Sequence, residues 1–173
     1  MGYLEKKLQA VVSTINQWTL KTGQLYEMTS DSLPSPFTCS RSAVGSVALT
    51  GNTYDAFNSN ASAPRGQYAS NGEGVVYTIN FNVDDKYRPS EIAWDYYSGN
   101  TINLTLTITG YYADDSTVTL KSANTTAQYN SGTQSLSLTE ALSKITISLI
   151  KTGGLDDSIY VKYCQVTEWY EKG

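Results

Sequence analysis

Gly74-Val75-Val76-Tyr77-Thr78-Ile79-Asn80-Phe81-Asn82-Val83 decides the fold class. Val75, Tyr77, Ile79, Phe81 and Val83 alternate with Val76, Thr78, Asn80 and Asn82, the two-residue period of a strand with one face on a core. The same period recurs downstream. Leu104, Leu106 and Ile108 alternate with Thr105, Thr107 and Thr109, and Val118 and Leu120 with Thr117, Thr119 and Lys121. Leu136 and Leu138, then Ile145, Ile147 and Leu149, repeat it with Ser and Thr between them. In the last run, Ser158 to Tyr170, the alternation puts Ile159, Val161, Tyr163 and Gln165 on one face. Tyr160, Lys162, Cys164 and Val166 fall on the other. Between the runs sit turn formers: Asn71-Gly72, Asp84-Asp85, Ser98-Gly99-Asn100, Ala113-Asp114-Asp115, Asn130-Ser131-Gly132 and Gly153-Gly154. The segment from Tyr111 to Ser116 has the composition of a tight hairpin. About eight strands with short connections predict an all-β, antiparallel sandwich or barrel.

Residues 3–21 depart from this pattern. Leu4, Leu8, Val11, Ile15 and Trp18 are spaced four, three, four and three, the seam of a coiled coil, and Gly23 is a stop signal. Two heptads are marginal alone in water. The seam is therefore expected to be covered, either by other copies of the chain or by docking on the chain's own β domain. The division that follows is a helix for oligomerisation or anchoring over 1–27, a Pro/Ser linker over 28–36, and the sandwich over 37–173.

Composition removes several functions. Charged residues make up 16% of the 173, against roughly 25% in an average globular protein. A net charge of −4 with scattered Lys and Arg excludes a nucleic-acid surface. No apolar run nears the ~18 residues of a membrane span, so no membrane insertion is expected. Met1 is followed by a polar, amphipathic stretch rather than an apolar leader. There is no histidine. Serine and cysteine nucleophiles thereby lose their usual base, and zinc its commonest ligand. Among the carboxylates, Asp55, Glu73, Glu91 and Asp95 carry no motif, and the chain is expected not to be an enzyme; a carboxylate-dependent glycoside hydrolase is the third-ranked reading. The Asp pairs at 84–85, 114–115 and 156–157 match no calcium-loop spacing and read as turn caps, so no cofactor or metal is expected. Cys39 and Cys164 are either a disulfide stapling the first strand to the last or two small buried hydrophobes.

The stretches Met28-Thr29-Ser30, Phe37-Thr38-Cys39-Ser40, Tyr54-Asp55-Ala56-Phe57-Asn58-Ser59-Asn60 and Tyr77-Thr78-Ile79-Asn80-Phe81 occur in that order. Glu91-Ile92-Ala93-Trp94 and Leu106-Thr107-Ile108-Thr109-Gly110 follow them. The arrangement resembles the galactose-binding-like jelly roll of the discoidin or coagulation-factor type C family, most of all versions carried by bacteriophage virion proteins. The family's Asp-Gly after the Phe is Asn58-Ser59 here, and its following Trp is absent near Pro64-Arg65-Gly66. This removes a carboxylate that in many members supports a structural calcium or the ligand rim.

The resemblance implies a jelly-roll sandwich serving as a virion structural or adhesion component, in a head fibre, decoration or tail position. On that reading Leu4, Leu8, Val11, Ile15 and Trp18 assemble a homo-oligomer, a trimer in the simplest packing, on a larger viral particle. The sandwich then faces outward to a host glycan. Tyr54, Arg65, Tyr68, Tyr97 and Asn100 are the candidate ligand residues, since a sugar's C–H face stacks on an aromatic ring while amide and guanidinium groups bond its hydroxyls. Trp94 and Tyr96 read as core; Tyr97, Tyr111, Tyr112 and Tyr129, beside turns, read as exposed. The alternative is an extracellular carbohydrate-binding module of a larger secreted protein.

Overall fold

The computed structural model describes residues 2–5, 18–26, 33–50, 65–83, 85–98, 102–126 and 129–173, with 65–68 and 162 given by their backbone. Within these residues, eleven strands form two antiparallel sheets. The first runs β3 (Ala48–Thr50), β4 (Arg65–Ala69), β11 (Asp157–Lys172), β6 (Tyr87–Ser98), β9 (Tyr129–Ser135), and β1 (Trp18–Thr22) also pairs with β11. The second runs β2 (Thr38–Val44), β5 (Gly74–Asn80), β10 (Lys144–Gly154), β7 (Ile102–Tyr111), β8 (Thr117–Thr125).

The alternation read from the sequence is the inward face of the second sheet. Val75, Tyr77 and Ile79, Leu104, Leu106 and Ile108, and Ile145, Ile147 and Leu149 are all buried. They share one core with Ile92, Trp94 and Tyr96 of β6 and Ile159, Val161, Cys164 and Val166 of β11. Each such side chain contributes roughly 1.5–3 kcal/mol by leaving water, so the two layers hold together by apolar burial.

Between β4 and β1, the edge of β11 is covered by residues 23–26. Gly23 N–H donates to Thr167 O (2.9 Å), Leu25 N–H to Val166 O (3.0 Å), and the Tyr26 hydroxyl to Cys164 O (2.9 Å). Tyr26 leads into an aromatic cluster with Phe37, Phe81 and Tyr87. Leu33 and Phe37, where the expected linker meets the sandwich, are both buried.

The expected N-terminal helix is corrected at its second half. Helical turn is present at 3–5, whereas Trp18–Thr22 is a strand in register with Glu168–Lys172. Trp18 is therefore not a seam residue. Its ring lies 4.9 Å from the Arg88 guanidinium and 5.9 Å from the Lys172 ammonium, and Arg88 also covers Tyr170 at 4.4 Å. The physical reason is the unpaired edge of β11, whose backbone groups are satisfied by β1. Leu4 is 81% exposed. Leu8, Val11 and Ile15 lie outside the described residues.

The strand count is also corrected, from about eight to eleven. Three additions, β1, β3 and β4, are only three to five residues long. A fourth difference is instructive. Asn130-Ser131-Gly132 reads as a turn, yet it lies inside β9. A Cβ at Gly132 would lie 2.8 Å from Trp94 Cζ2, so the glycine makes room for the indole beneath it. The Trp94 Nε1–H donates to Asn130 Oδ1 at 2.9 Å.

The β7–β8 hairpin forms as expected. Tyr112 N–H donates to Ser116 O, Asp115 takes a left-handed φ of 63°, and the Asp114 carboxylate accepts from Ser116 N–H and Oγ–H. Asp114 caps the turn, and the Asp115 carboxylate pairs with Lys144 at 3.5 Å. Both cysteines are free thiols, Cys39 half-buried and Cys164 buried. Burial pushes each up to about 12.

A Cβ at Gly74 would stand 1.9 Å from Leu149 O, a backbone atom of the paired strand. Gly74→Ala is expected to destabilise by ~3 kcal/mol or more in urea unfolding, through overpacking that the ladder cannot relieve. Gly72→Ala, with φ of +86° and open space around it, is expected to cost only about 1 kcal/mol. Iodoacetamide at pH 8 should alkylate the native thiols on the order of a thousandfold more slowly than the urea-unfolded ones, because the thiolate is the nucleophile.

Candidate functional site

Strand parity builds the outer face of the first sheet. On β6, Ile92, Trp94 and Tyr96 point inward, so Ala93, Asp95 and Tyr97 point outward. On β11, Ile159 and Val161 are buried and Tyr160 is outward. A bulge between Val161 and Tyr163 then inserts one residue opposite β6. After it Tyr163 and Gln165 take the outward parity, Gln165 and its row partner Ala93 being buried there, while Cys164 and Val166 enter the core. The simple alternation had placed Tyr163 and Gln165 with Ile159; the bulge reverses the parity.

The resulting rows cross three strands. Tyr160, Tyr97 and Tyr129 are cross-strand partners in the first row. Tyr163, Asp95 and Ser131 form the second, and Gln165, Ala93 and Thr133 the third. By backbone register the first row continues to Arg65 on β4 and Thr50 on β3.

The three rings form a ladder. Tyr97 and Tyr160 have centroids 4.4 Å apart and planes within 3°, and Tyr97 and Tyr129 are 5.5 Å apart at 22°. Rings 4.4 Å apart cannot lie side by side in one plane without overlap, so they stack and rise from the sheet. They present ring edges and hydroxyls, and at the sheet edge the far face of Tyr129, which is 62% exposed. Stacked aromatic pairs contribute about 0.5–1.5 kcal/mol beyond burial. The ladder is therefore a preorganised element.

Hydrogen-bonding groups adjoin it. Burial, followed by the Asp95 carboxylate, raises the Tyr163 phenol. Gln24 Nε2–H donates to Gln165 Oε1 at 3.2 Å, and Thr167 Oγ1–H to Glu91 Oε1 at 2.7 Å.

The loops at the ladder's end of the sandwich are pinned by charge. The Lys151 side chain is only 1% exposed, and its ammonium donates to Asp156 Oδ1 (2.8 Å) and Asn71 Oδ1 (3.2 Å). The Lys151 partner holds Asp156 below its ordinary range. Glu73 accepts Ser46 N–H and Ser70 N–H, both at 2.8 Å, and these bonds lower its carboxyl below the ordinary 4.5. The pair and the carboxylate tie the β2–β3, β4–β5 and β10–β11 connections together.

Of the residues expected at the site, Tyr97 is central to the ladder. Arg65 and Tyr68 lie on β4, Arg65 in register with Tyr160. Tyr54 and Asn100 lie outside the described residues. Trp94 (5% exposed) and Tyr96 are core, as their alternation implied. Tyr160, Tyr163 and Ser131 were not singled out from the sequence. Their only sequence signal is aromatic and hydroxyl content, because their neighbours come from strands far apart in the chain.

Among the described residues the candidate carboxylates do not form a hydrolytic pair. Glu91 and Asp95 are four residues apart along the extended β6, about 13 Å at ~3.3 Å per residue, beyond the ~5–10 Å of glycosidases. Glu73 is occupied by backbone donors. Asp55 lies outside the described residues. Among the described residues no three metal-ligating side chains converge.

Comparison with solved structures places this architecture. A mutant described as a carbohydrate binding module family 29 is 11% identical, with 89% of each chain covered and a TM-score of 0.50. A second chain of the same description is 10% identical over 89% of this chain and 86% of that one, with a TM-score of 0.49. The shared fold is a jelly-roll β-sandwich. No family model and no curated protein matches the sequence.

The loop clip predicts an acid signature. With its folded value depressed, Glu73 contributes stability that is complete above the unfolded value near 4.5 and is lost as pH falls through the lower folded value. Glu73→Gln should therefore lower the urea midpoint at pH 7 and narrow its gap from the parent below pH 4.5. An unchanged gap down to pH 3 would contradict this role.

Proposed function

We propose that the chain is a non-enzymatic, extracellular glycan-binding sandwich whose ligand lies on the outer face of the first sheet. The observation that carries this reading is the stacked row Tyr160–Tyr97–Tyr129, set beside a row of phenol, carboxylate and hydroxyl groups. Saccharides are recognised by such a combination: an aromatic surface takes the C–H face, and neighbouring polar groups bond the hydroxyls. The ladder supplies these groups already ordered, which reduces the entropy cost of binding. The fold shared with carbohydrate binding module family 29, and its compatibility with a galactose-binding-like jelly roll, support the same reading.

The assembly role on a virion rests on a seam whose middle members, Leu8, Val11 and Ile15, lie outside the described residues, while Trp18 belongs to a strand. The glycan reading is carried by described side chains and is the one adopted.

The test is a glycan array followed by calorimetry on the hits. Tyr97→Ala removes the middle rung and should weaken the hit by tenfold or more, about 1.4 kcal/mol, while lowering the thermal midpoint by a few degrees through the loss of two stacked contacts without loss of fold. Tyr129→Ala, which removes the one ring face left open, should weaken it at least as much. A hit with the same affinity for both variants as for the parent would move the site off this face.

A further inference from the structure

We propose that Asn71 is a site of spontaneous covalent modification, deamidation through a cyclic imide with Gly72, and that Lys151 holds the reaction back by binding both reacting groups. Asn71-Gly72 is the one Asn-Gly step in the chain. It fills the two central positions of the tight turn between β4 and β5, closed by Glu73 N–H on Ser70 O at 3.0 Å, with Gly72 at a φ of +86°. Glycine suits that left-handed position because it lacks a Cβ. For the same reason its backbone nitrogen is the least hindered nucleophile toward the amide side chain that precedes it.

The chemistry needs only water. Gly72 N gives up its proton to hydroxide, and its electron pair forms a bond to Asn71 Cγ. The C–N bond of the side-chain amide then breaks, and that nitrogen takes up a proton and leaves as ammonia. Water adds to one of the two carbonyls of the five-membered ring and opens it there, giving aspartate or isoaspartate. The sum exchanges ammonia for water, a gain of about one dalton, with no oxidation or reduction.

Packing does not prevent this step. Asn71 and Gly72 are exposed, and a Cβ at Gly72 would meet open space. Hydrogen bonds from one residue do the holding. Gly72 N–H, the nucleophile, donates to Lys151 O at 2.8 Å. Asn71 Oδ1, on the electrophile, accepts from the Lys151 ammonium at 3.2 Å. Lys151 N–H completes the stitch by donating to Glu73 O at 2.9 Å. The ammonium is itself anchored: its side chain is buried, Asp156 Oδ1 accepts from it at 2.8 Å, and Asp156 Oδ2 accepts from Ser70 Oγ–H at 3.3 Å. Main chain and side chain of Lys151 thus fix the turn to β10, and the imide can close only from a locally opened turn.

The products change the clip in opposite directions. Aspartate sets a carboxylate against the Lys151 ammonium where a neutral amide stood, and a charge-assisted bond of this kind is the stronger one. Isoaspartate routes the main chain through the former side chain and adds one carbon between positions 71 and 72. Gly72 N–H then loses its register with Lys151 O. One product tightens the loops beside the tyrosine ladder and the other loosens them.

The experiment incubates the full chain at pH 8 and 37 °C, native and in guanidinium, and follows residue 71 by peptide mass spectrometry that resolves the amide, aspartyl and isoaspartyl forms. The unfolded chain is expected to convert about tenfold faster or more, because the native chain reacts only through its opened fraction. Lys151→Met removes the ammonium and keeps the apolar stem; while folded by circular dichroism, it should convert about threefold faster than the parent or more. Asn71→Asp should raise the urea midpoint at pH 7.

Native conversion as fast as that in guanidinium would overturn the protective role. A folded Lys151→Met variant that converts no faster than the parent would remove the ammonium from it. If that variant does not fold, the parent decides: Gly72 amide exchange as fast as in an unstructured chain would refute the hold on the nucleophile. An unchanged or lower urea midpoint in Asn71→Asp would refute the hold on the side chain. No conversion in guanidinium would refute the modification site itself.

Discussion

The bulge between Val161 and Tyr163 is the constraint on which the candidate site depends. A strand offers alternate side chains to opposite faces, so one inserted residue exchanges the faces of everything beyond it. Before the bulge Tyr160 faces out between the buried Ile159 and Val161; after it Tyr163 takes the outward side and Cys164 and Val166 enter the core. Without that insertion Tyr163 would be forced into the apolar layer and Cys164 onto the surface. Tyr163 could not then stand beside Asp95. β11 carries this irregularity because both of its edges are held, by β6 on one side and by β4, residues 23–26 and β1 on the other.

The ladder and the core use the same aromatic chemistry in opposite ways. Phe37, Phe81, Tyr87 and Tyr26 meet edge-on or tilted within the core, which packs volume in three dimensions. Tyr160, Tyr97 and Tyr129 are held one strand spacing apart and stack in a line. Cross-strand register imposes that line, and it leaves edges, hydroxyls and one terminal face for a ligand. The charged clip of Lys151, Asp156 and Glu73 stiffens the nearby loops. The ladder's geometry is thereby maintained from both the sheet and the turns.

Much of the second sheet was legible in the chain. Val75-Tyr77-Ile79, Leu104-Leu106-Ile108 and Ile145-Ile147-Leu149 alternate cleanly because one face is buried and the other meets water. The first sheet was harder. β9 has no apolar residue facing the core and contains a glycine, so its composition matches a turn; it is a strand because Trp94 fills the space beneath Gly132 and β6 supplies the partner. Trp18 fitted a helical seam over two heptads. It begins a strand instead, because the open edge of β11 takes Trp18–Thr22 as its partner. Of the candidate site, Tyr97 was legible as an outward aromatic beside a turn, whereas Tyr160 and Tyr163 were not, since parity near a bulge cannot be read locally.

Residue order alone determined an all-β sandwich with a Ser/Thr-rich exterior, buried Trp94 and Tyr96, a capped β7–β8 hairpin and no histidine-based chemistry. These are local or compositional properties, set by two-residue periodicity, turn residues and the side-chain inventory. Tertiary structure alone decided that Tyr129, Tyr97 and Tyr160 are neighbours and that Asp95 lies one row away. Their contacts join residues up to 63 positions apart, as the Tyr97–Tyr160 pair shows by 160 minus 97. Such contacts depend on which strands pair and in what register, and that outcome follows from packing the whole core.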